Sequence, residues 1–291
     1  MIRLFLLGFK GYYLIKNIPD DYISLIDSVV IAKDSNVEND FFDEIEKVCI
    51  KRNLVFYERN FEKKSDAEYY ILIGWRWLMP IGNSVKVIVF HDSLLPKYRG
   101  FNPLVTALIN GDERIGATCL FASDEYDKGE IICQEAIDIV YPIKIADAIN
   151  LIAMLYYKLF LSFVNMIKNN SLKSFPQNES ESTYSLWRDD VDYYIDWKWD
   201  ARKIEKFINA VGPPYLGART FIKNECFIIK NARAMMDVMV EDREQNFGKV
   251  IFKKENKLVV VCGVGLLEID GLIKLDGLEY NIENKFRIRF S

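Results

Sequence analysis

The sequence predicts an α/β protein: a Rossmann-like, doubly wound N-terminal domain followed by a smaller, mainly β domain. Three observations carry this. Short apolar runs alternate with amphipathic stretches through the first half of the chain, as parallel strands and their crossover helices require. A polar stretch at 169–185, containing Pro176, interrupts that alternation. Beyond it, one short amphipathic helix precedes a series of strand-like runs, the pattern of a small barrel or curled sheet. The expected boundaries are an N-terminal domain at 1–168, a linker at 169–185 and a barrel-like C-terminal domain at 186–291.

In chain order, the apolar run at 2–7 reads as a buried first strand ending at Gly8, and 12–18 as the start of a helix after a short loop that carries Lys10. A second strand is expected at 28–34. Residues 40–52 place Phe41, Ile45, Val48 and Cys49 at helical spacing, with Asn39 as the N-cap. Strands follow at 54–58, 69–75 and 85–92. Asn102 and Pro103 open another helix, as cap and first helical position, that stops near Gly111. Residues 116–123 and 131–139 read as paired strands. A long helix at 144–169 aligns Ile145, Ala148, Ile152, Leu155, Leu159 and Phe163 on one face. In the second domain, a helix at 200–211 precedes the strands ARTFI, ECFIIKNA, FGKVIFKK, KLVVVCG and GLLEIDGLIKL.

With 50% hydrophobic residues and a net charge of -4, the chain has material for a core and no general attraction for polyanions. That disfavours nucleic acid and anionic membranes as partners. Five cysteines, an odd number without a CxxC pair, argue against a disulfide framework or a zinc site. The N-terminus lacks the form of a signal peptide, and no uninterrupted apolar run reaches about 18 residues. The expectation is a soluble, cytoplasmic protein without a metal.

The chain has one histidine, His91, at the end of the strand VIVF. The carboxyl end of a parallel strand is where open α/β sheets place ligands, and imidazole is the side chain matched to proton transfer near neutral pH. An ordering role in the turn fits its position equally well. Asp127, in SDEYDKGEII, is placed to orient a histidine, although Asp-Lys-Gly is also ordinary turn chemistry.

Taken together, HDSLLPKYRG (91–100), FNPLVTALINGDERIGAT (101–118) and DEYDKGEI (124–131) closely resemble the folate-dependent formyltransferase family. The resemblance is specific over about 70–135. It extends more weakly to YIDW (194–197) and AVGPPYLGARTF (210–221) in the second domain. It implies N10-formyltetrahydrofolate as co-substrate, its pterin held by the loop Gly74, Trp75, Arg76, Trp77, Leu78, Met79, Pro80 and near Asp124, Tyr126 and Asp127. Ser93, Tyr98 and Arg99, with Lys97 as a further cation, would line the acceptor side, and Lys10 would reach phosphates. The family carries out acyl transfer to an amine with an Asn-His-Asp set. His91 would stabilise the oxyanion or move the proton, and Asp127 would orient it. The position of the asparagine, two residues before the histidine, is Val89 here. Asn102 is the nearest candidate to replace it.

Of the family's acceptors, glycinamide ribonucleotide is disfavoured by the second domain. Initiator methionyl-tRNA is disfavoured by the acidic balance and by a linker poor in basic residues. A nucleotide-linked amino sugar is the preferred acceptor, which implies surface-polysaccharide biosynthesis. A homodimer is compatible with the aromatic stretch YYIDWKWD, which reads equally as core or interface. The loss at Val89 keeps two other readings open: a silent folate-binding relative, and a formyltetrahydrofolate hydrolase.

Overall fold

In a computed structural model, residues 1–79, 85–254, 257–282 and 286–291 are described. The elements in order are β1 (Ile2–Leu6), α1 (Gly8–Asn17), α2 (Asp20–Ile23), β2 (Ile26–Ile31), α3 (Phe42–Lys51), β3 (Phe56–Glu58), β4 (Tyr69–Ile73), β5 (Lys86–His91), β6 (Arg99–Gly100), α4 (Pro103–Asn110), β7 (Arg114–Phe121), β8 (Ile131–Asp138), α5 (Ile145–Lys168), β9 (Tyr184–Ser185), α6 (Ala201–Val211), β10 (Ala218–Ile222), β11 (Glu225–Met235), β12 (Val250–Lys254), β13 (Lys257–Val261) and β14 (Leu266–Lys274). They form two compact units. The first comprises Met1–Leu104, Glu113–Ile139 and Asp147–Trp187; the second comprises Val105–Asp112, Val140–Ala146 and Arg188–Ser291.

The first unit is built on a seven-stranded sheet of order β3-β2-β1-β4-β5-β7-β8. Strands β1 to β5 pair in parallel, and β7 and β8 add antiparallel at one edge. Every residue of β1 is buried, as a strand covered on both faces should be. The chain runs β1, β2, β3 to one side and then returns to β4 and β5 on the other. The carboxyl ends of β1 and β4 are therefore the switch point at which such sheets leave a crevice.

The first helix begins at Gly8, earlier than the sequence pattern indicates, so Lys10 lies in its first turn and not in a loop. Gly8 makes the entry with φ +67, a value that glycine adopts without a steric cost. Helix α3 starts after Phe41, whose φ is 57, and Asn39 does not cap its first turn. Asn39 Oδ1 accepts from Phe41 N at 2.9 Å, while Asp40 Oδ1 accepts from Phe42 N, the first helical residue, at 3.0 Å. Pro103 opens α4 as its first residue, and Asn102 before it has φ 50.

Helix α5 is long and apolar enough, by length and composition, to cross a membrane. Its side chains explain that apolarity otherwise. Ala148, Ile152, Leu155, Leu159 and Phe163 are buried, and the Tyr156 hydroxyl lies 2.6 Å from the Phe90 carbonyl oxygen in β5. It is a core helix bonded to the sheet. The polar segment 169–185, read from the sequence as a linker, is tied along the first unit. Phe175 forms an antiparallel bridge with Ile131, and β9 pairs in parallel with β6.

The second unit is a five-stranded antiparallel sheet of order β10-β11-β14-β13-β12, packed on α6. Asp200 caps α6 by accepting from Arg202 N at 2.7 Å, and Ile204, Phe207, Ile208 and Val211 form its buried face. The C-terminal residues draw the two edge strands together. Phe290 bridges Ile222 of β10, Arg289 bridges Lys249 beside β12, and Phe221 and Ser291 exchange backbone bonds of 2.8 and 3.0 Å. This covers both sheet edges, as barrel closure does. Ile195 and Trp197 of the aromatic stretch are buried, and Trp197 Nε1 donates to Thr220 Oγ1 at 3.0 Å.

Candidate functional site

Lys10, Gly74 and Asp92 meet where the parallel strands end. Gly74 follows β4 with φ +66, and a Cβ there would lie 2.7 Å from the Leu7 carbonyl oxygen and 3.7 Å from Lys10 Cε. The first βα turn and the end of β4 are thus in contact across the switch point. Lys10 Nζ forms an ion pair with Asp92, and the Tyr156 hydroxyl bonds the same carboxylate. Burial opposes the Asp92 charge, but the Lys10 cation and the hydrogen bonds from Lys10 and Tyr156 outweigh it and hold the carboxyl below its ordinary value. Burial, followed by the Asp92 charge, pushes the Tyr156 phenol well above its ordinary value. The sequence presents Lys10 as a phosphate ligand in a loop; its ammonium is instead neutralised inside the chain. Sequence reasoning missed Asp92 and Tyr156. The first was overshadowed by its neighbour His91, and the second lies on a helix face that reads as core.

His91 is the last residue of β5 and points to the face opposite Asp92, because successive strand side chains alternate. It is 7% exposed. Its Nε2 lies 2.8 Å from the carbonyl oxygen of Tyr98. A carbonyl only accepts, so Nε2 carries the hydrogen in this arrangement. Nδ1 faces Asp127 Oδ2 at 3.5 Å, and the same carboxylate oxygen accepts from Gly100 N at 2.8 Å. The structure thus brings together the two residues that the sequence singles out. The SLLPKYRG loop also supplies a main-chain oxygen to His91 and a main-chain N–H to Asp127.

Two stretches of the loop are held from inside. Ser93 Oγ donates to the Lys97 carbonyl at 2.6 Å, and Thr118 Oγ1 donates to the Ser93 carbonyl at 2.6 Å. Tyr98 has φ 59, and its N donates to Thr183 Oγ1 at 2.9 Å. Arg99 has no exposed surface. Its Nη1 and Nη2 meet both carboxylate oxygens of Glu179 at 2.9 and 2.7 Å, a bidentate pair that raises the guanidinium further and lowers Glu179. Lys97 is exposed.

Val89 stands two residues before His91 on the same face. It packs against the cluster of Phe5, Val30, Leu72 and Val87 on one side and that of Leu95, Leu120 and Ile131 on the other. Valine at this position makes the sheet face continuously apolar. The described side-chain hydrogen bonds of His91 and Asp127 run to Tyr98 and Gly100, and none runs to Asn102.

The loop after β4 extends that apolar wall. The Trp75 ring meets Phe5 edge-on at 5.2 Å and Trp77 edge-on at 5.0 Å, and Met79 joins the same cluster. Trp75 Nε1 is buried and has no hydrogen-bond partner among the described residues, a donor suited to a ligand acceptor. Trp77 lies under the Arg59 guanidinium at 4.1 Å. Arg76 forms an ion pair with Asp34, and Leu78 is largely exposed. Pro80 lies outside the described residues. Asp124 and Tyr126 are exposed, and the Tyr126 ring meets Phe101 at 5.5 Å.

This combination of motif and sheet can be set beside known proteins. The formyl transferase family profile matches residues 60–153, and the formyl transferase C-terminal domain profile matches 189–288. The chain belongs to the formyltransferase family. Methionyl-tRNA formyltransferase of Alkaliphilus oremlandii is 30% identical over 181 residues, which are 62% of this chain and 56% of that protein. The formyltransferase-family chain therefore aligns with little more than half of that relative's length. WlaRD, a sugar 3N-formyl transferase solved with dTDP and 5-N-formyl-THF, superposes with TM-score 0.69 at 20% identity, covering 95% of this chain and 98% of its own. The N-formyltransferase of Helicobacter canadensis, solved with folinic acid and dTDP-3-aminofucose, superposes with TM-score 0.67 at 17% identity, covering 96% and 99%. Within this chain, the N-terminal profile includes His91, Asn102 and Asp127, whereas Lys10 precedes it.

Proposed function

We propose that the protein transfers the formyl group of N10-formyltetrahydrofolate to the amine of a nucleotide-linked amino sugar. The observation that carries this is the His91–Asp127 pair at the end of β5, set in the HDSLLPKYRG motif of a formyltransferase-family chain. The pterin would lie against Trp75, Trp77, Met79 and the Val89 face, where the Trp75 indole N–H, without a partner among the described residues, would offer a hydrogen bond. The attacking amine must lose a proton, which the His91–Asp127 pair, with Asp127 facing His91 Nδ1, would accept. His91 and the main-chain groups around it would meet the developing oxyanion. Arg99, with its guanidinium held by Glu179, would shape the loop without touching the acceptor.

An amino sugar is favoured over initiator tRNA by the net charge of -4. It is also favoured by structural likeness: the two sugar enzymes superpose on 95% and 96% of this chain with TM-scores of 0.69 and 0.67, against 81% and 0.57 for the methionyl-tRNA formyltransferase of Clostridium thermocellum. Val89 supports a second reading, in which formyltetrahydrofolate is bound or hydrolysed without transfer. Incubation with N10-formyltetrahydrofolate and a panel of amino-sugar nucleotides separates the readings. Acceptor-dependent release of tetrahydrofolate supports the transferase. Acceptor-independent release supports the hydrolase, and binding without turnover supports the silent relative.

A further inference from the structure

The segment after α5 carries a side chain that reaches the site from behind. Gln177 Nε2 donates to the Asp127 carbonyl at 2.6 Å and to the Gly129 carbonyl at 2.8 Å. Its Oε1 accepts from Arg99 Nε at 3.0 Å and Arg99 Nη2 at 2.7 Å. The orientation of the amide is unambiguous, because guanidinium can only donate and the two carbonyls can only accept. With its bonds to Glu179 and a longer one of 3.4 Å to the Tyr184 hydroxyl, Arg99 commits all five of its N–H groups.

The backbone that Gln177 holds is one that needs holding. Asp127 has φ 55, a left-handed conformation that a non-glycine residue adopts at a cost. Gly129 is packed so closely that a Cβ there would collide with the Phe121 carbonyl oxygen. Gln177 therefore ties both ends of the turn 127–129 to one amide, and Arg99 locks that amide. On the other side of the turn, the Asp127 carboxylate is aimed at His91 and anchored by Gly100 N.

We infer that Gln177 is a positioning residue for the His91–Asp127 pair, with Arg99 and Glu179 fixing its amide. The role in turnover rests on the formyl-transfer reading; the role in fixing the pair does not. It predicts that removing the two donated hydrogen bonds lets the Asp127 turn relax and changes the ring environment of His91, while the surfaces that bind either substrate stay as they are.

His91 is the chain's single histidine, so its imidazole nitrogens give one unambiguous set of NMR signals. Q177E keeps an acceptor for Arg99 but cannot donate to the two carbonyls, and Q177L removes both functions. In both, the His91 ring nitrogen shifts and titration are expected to move towards those of D127N. Formyl-transfer kcat is expected to fall about 10- to 100-fold with little change in either KM. A His91 spectrum and titration in Q177E that match the wild type overturn the inference. So does loss of the fold in both variants, which makes the contact a general structural one. If the spectrum moves and no transfer to any amine is detected in the wild type, the positioning role stands and the proposed reaction fails.

Discussion

The Nε2 of His91 is bonded to the main-chain carbonyl of Tyr98 at 2.8 Å, within the loop that follows its own strand. This ties the ring to the loop, fixes which nitrogen carries hydrogen, and leaves Nδ1 to face Asp127 at 3.5 Å. In the proposed reaction, proton handling would therefore fall to the pair and not to a freely rotating imidazole. H91A and D127N are expected to lower kcat by about 100- to 10,000-fold, the range of a lost acid–base group, with folate binding retained. Single-turnover transfer and equilibrium folate binding measured on the same samples check this. Unchanged transfer by H91A excludes His91 from the chemistry.

The Lys10–Asp92–Tyr156 cluster predicts a reversal in the pH dependence of stability. Asp92 titrates below its ordinary value in the folded protein, so it contributes stability at neutral pH that is lost as pH falls below about 4. K10M removes the cation and leaves a buried carboxylate without its partner, at a cost of about 3–5 kcal/mol. Burial then dominates and raises the Asp92 carboxyl, so the variant binds a proton more tightly folded than unfolded. Its stability should fall as pH rises from about 4 towards neutrality, the opposite sign from the wild-type contribution. Denaturant midpoints from pH 4 to 7 test this, and parallel profiles for the two proteins contradict it.

Val89 separates stability from activity. V89N places an amide between two apolar clusters, where an incompletely bonded polar group costs about 1–3 kcal/mol. The amide also lies on the His91 face, at the position where the family resemblance puts its oxyanion donor. V89N is expected to lower the melting temperature and to raise the transfer rate about tenfold or more. A variant that is less stable and no faster shows that the site meets the oxyanion with groups already present.

Gly129 tests the turn without touching a side chain of the site. In G129A the new Cβ meets the Phe121 carbonyl oxygen, so the turn or β7 must shift. The expected cost is about 1–3 kcal/mol, together with a displaced Asp127 and a loss of kcat larger than that of any KM change. Calorimetry and steady-state kinetics read the two effects. Wild-type kcat in a folded G129A shows that the turn tolerates displacement.

Much of the fold is legible along the chain. The continuous apolar run VIVF and the period of 3.6 through Ile145, Ala148, Ile152, Leu155 and Phe163 are local properties, and both elements form where those patterns lie. The His91 and Asp127 segments are legible for a related reason, since a loop with several constrained residues leaves a recognisable local string. The sequence pattern misplaces Lys10 because the loop-like glycines at 8 and 11 lie inside a helix, where Gly8 makes the entry and Gly11 packs tightly against Leu6. The segment 169–185 reads as a linker because it is polar, yet its Gln177, Glu179 and Thr183 are bonded to the site.

By itself, then, the sequence determined the alternation of strands and helices, the change to a β-rich second half, and the motif that carries His91 and Asp127. Tertiary structure decided which distant groups meet. Lys10 and Asp92 are 82 residues apart, Arg99 and Glu179 are 80, and Gln177 and Asp127 are 50. Hydrophobic periodicity specifies which face of an element is buried over a few residues. Ion pairs and amide clamps between elements depend on strand order, on which ends share the switch point, and on which charges must be paired once water is excluded.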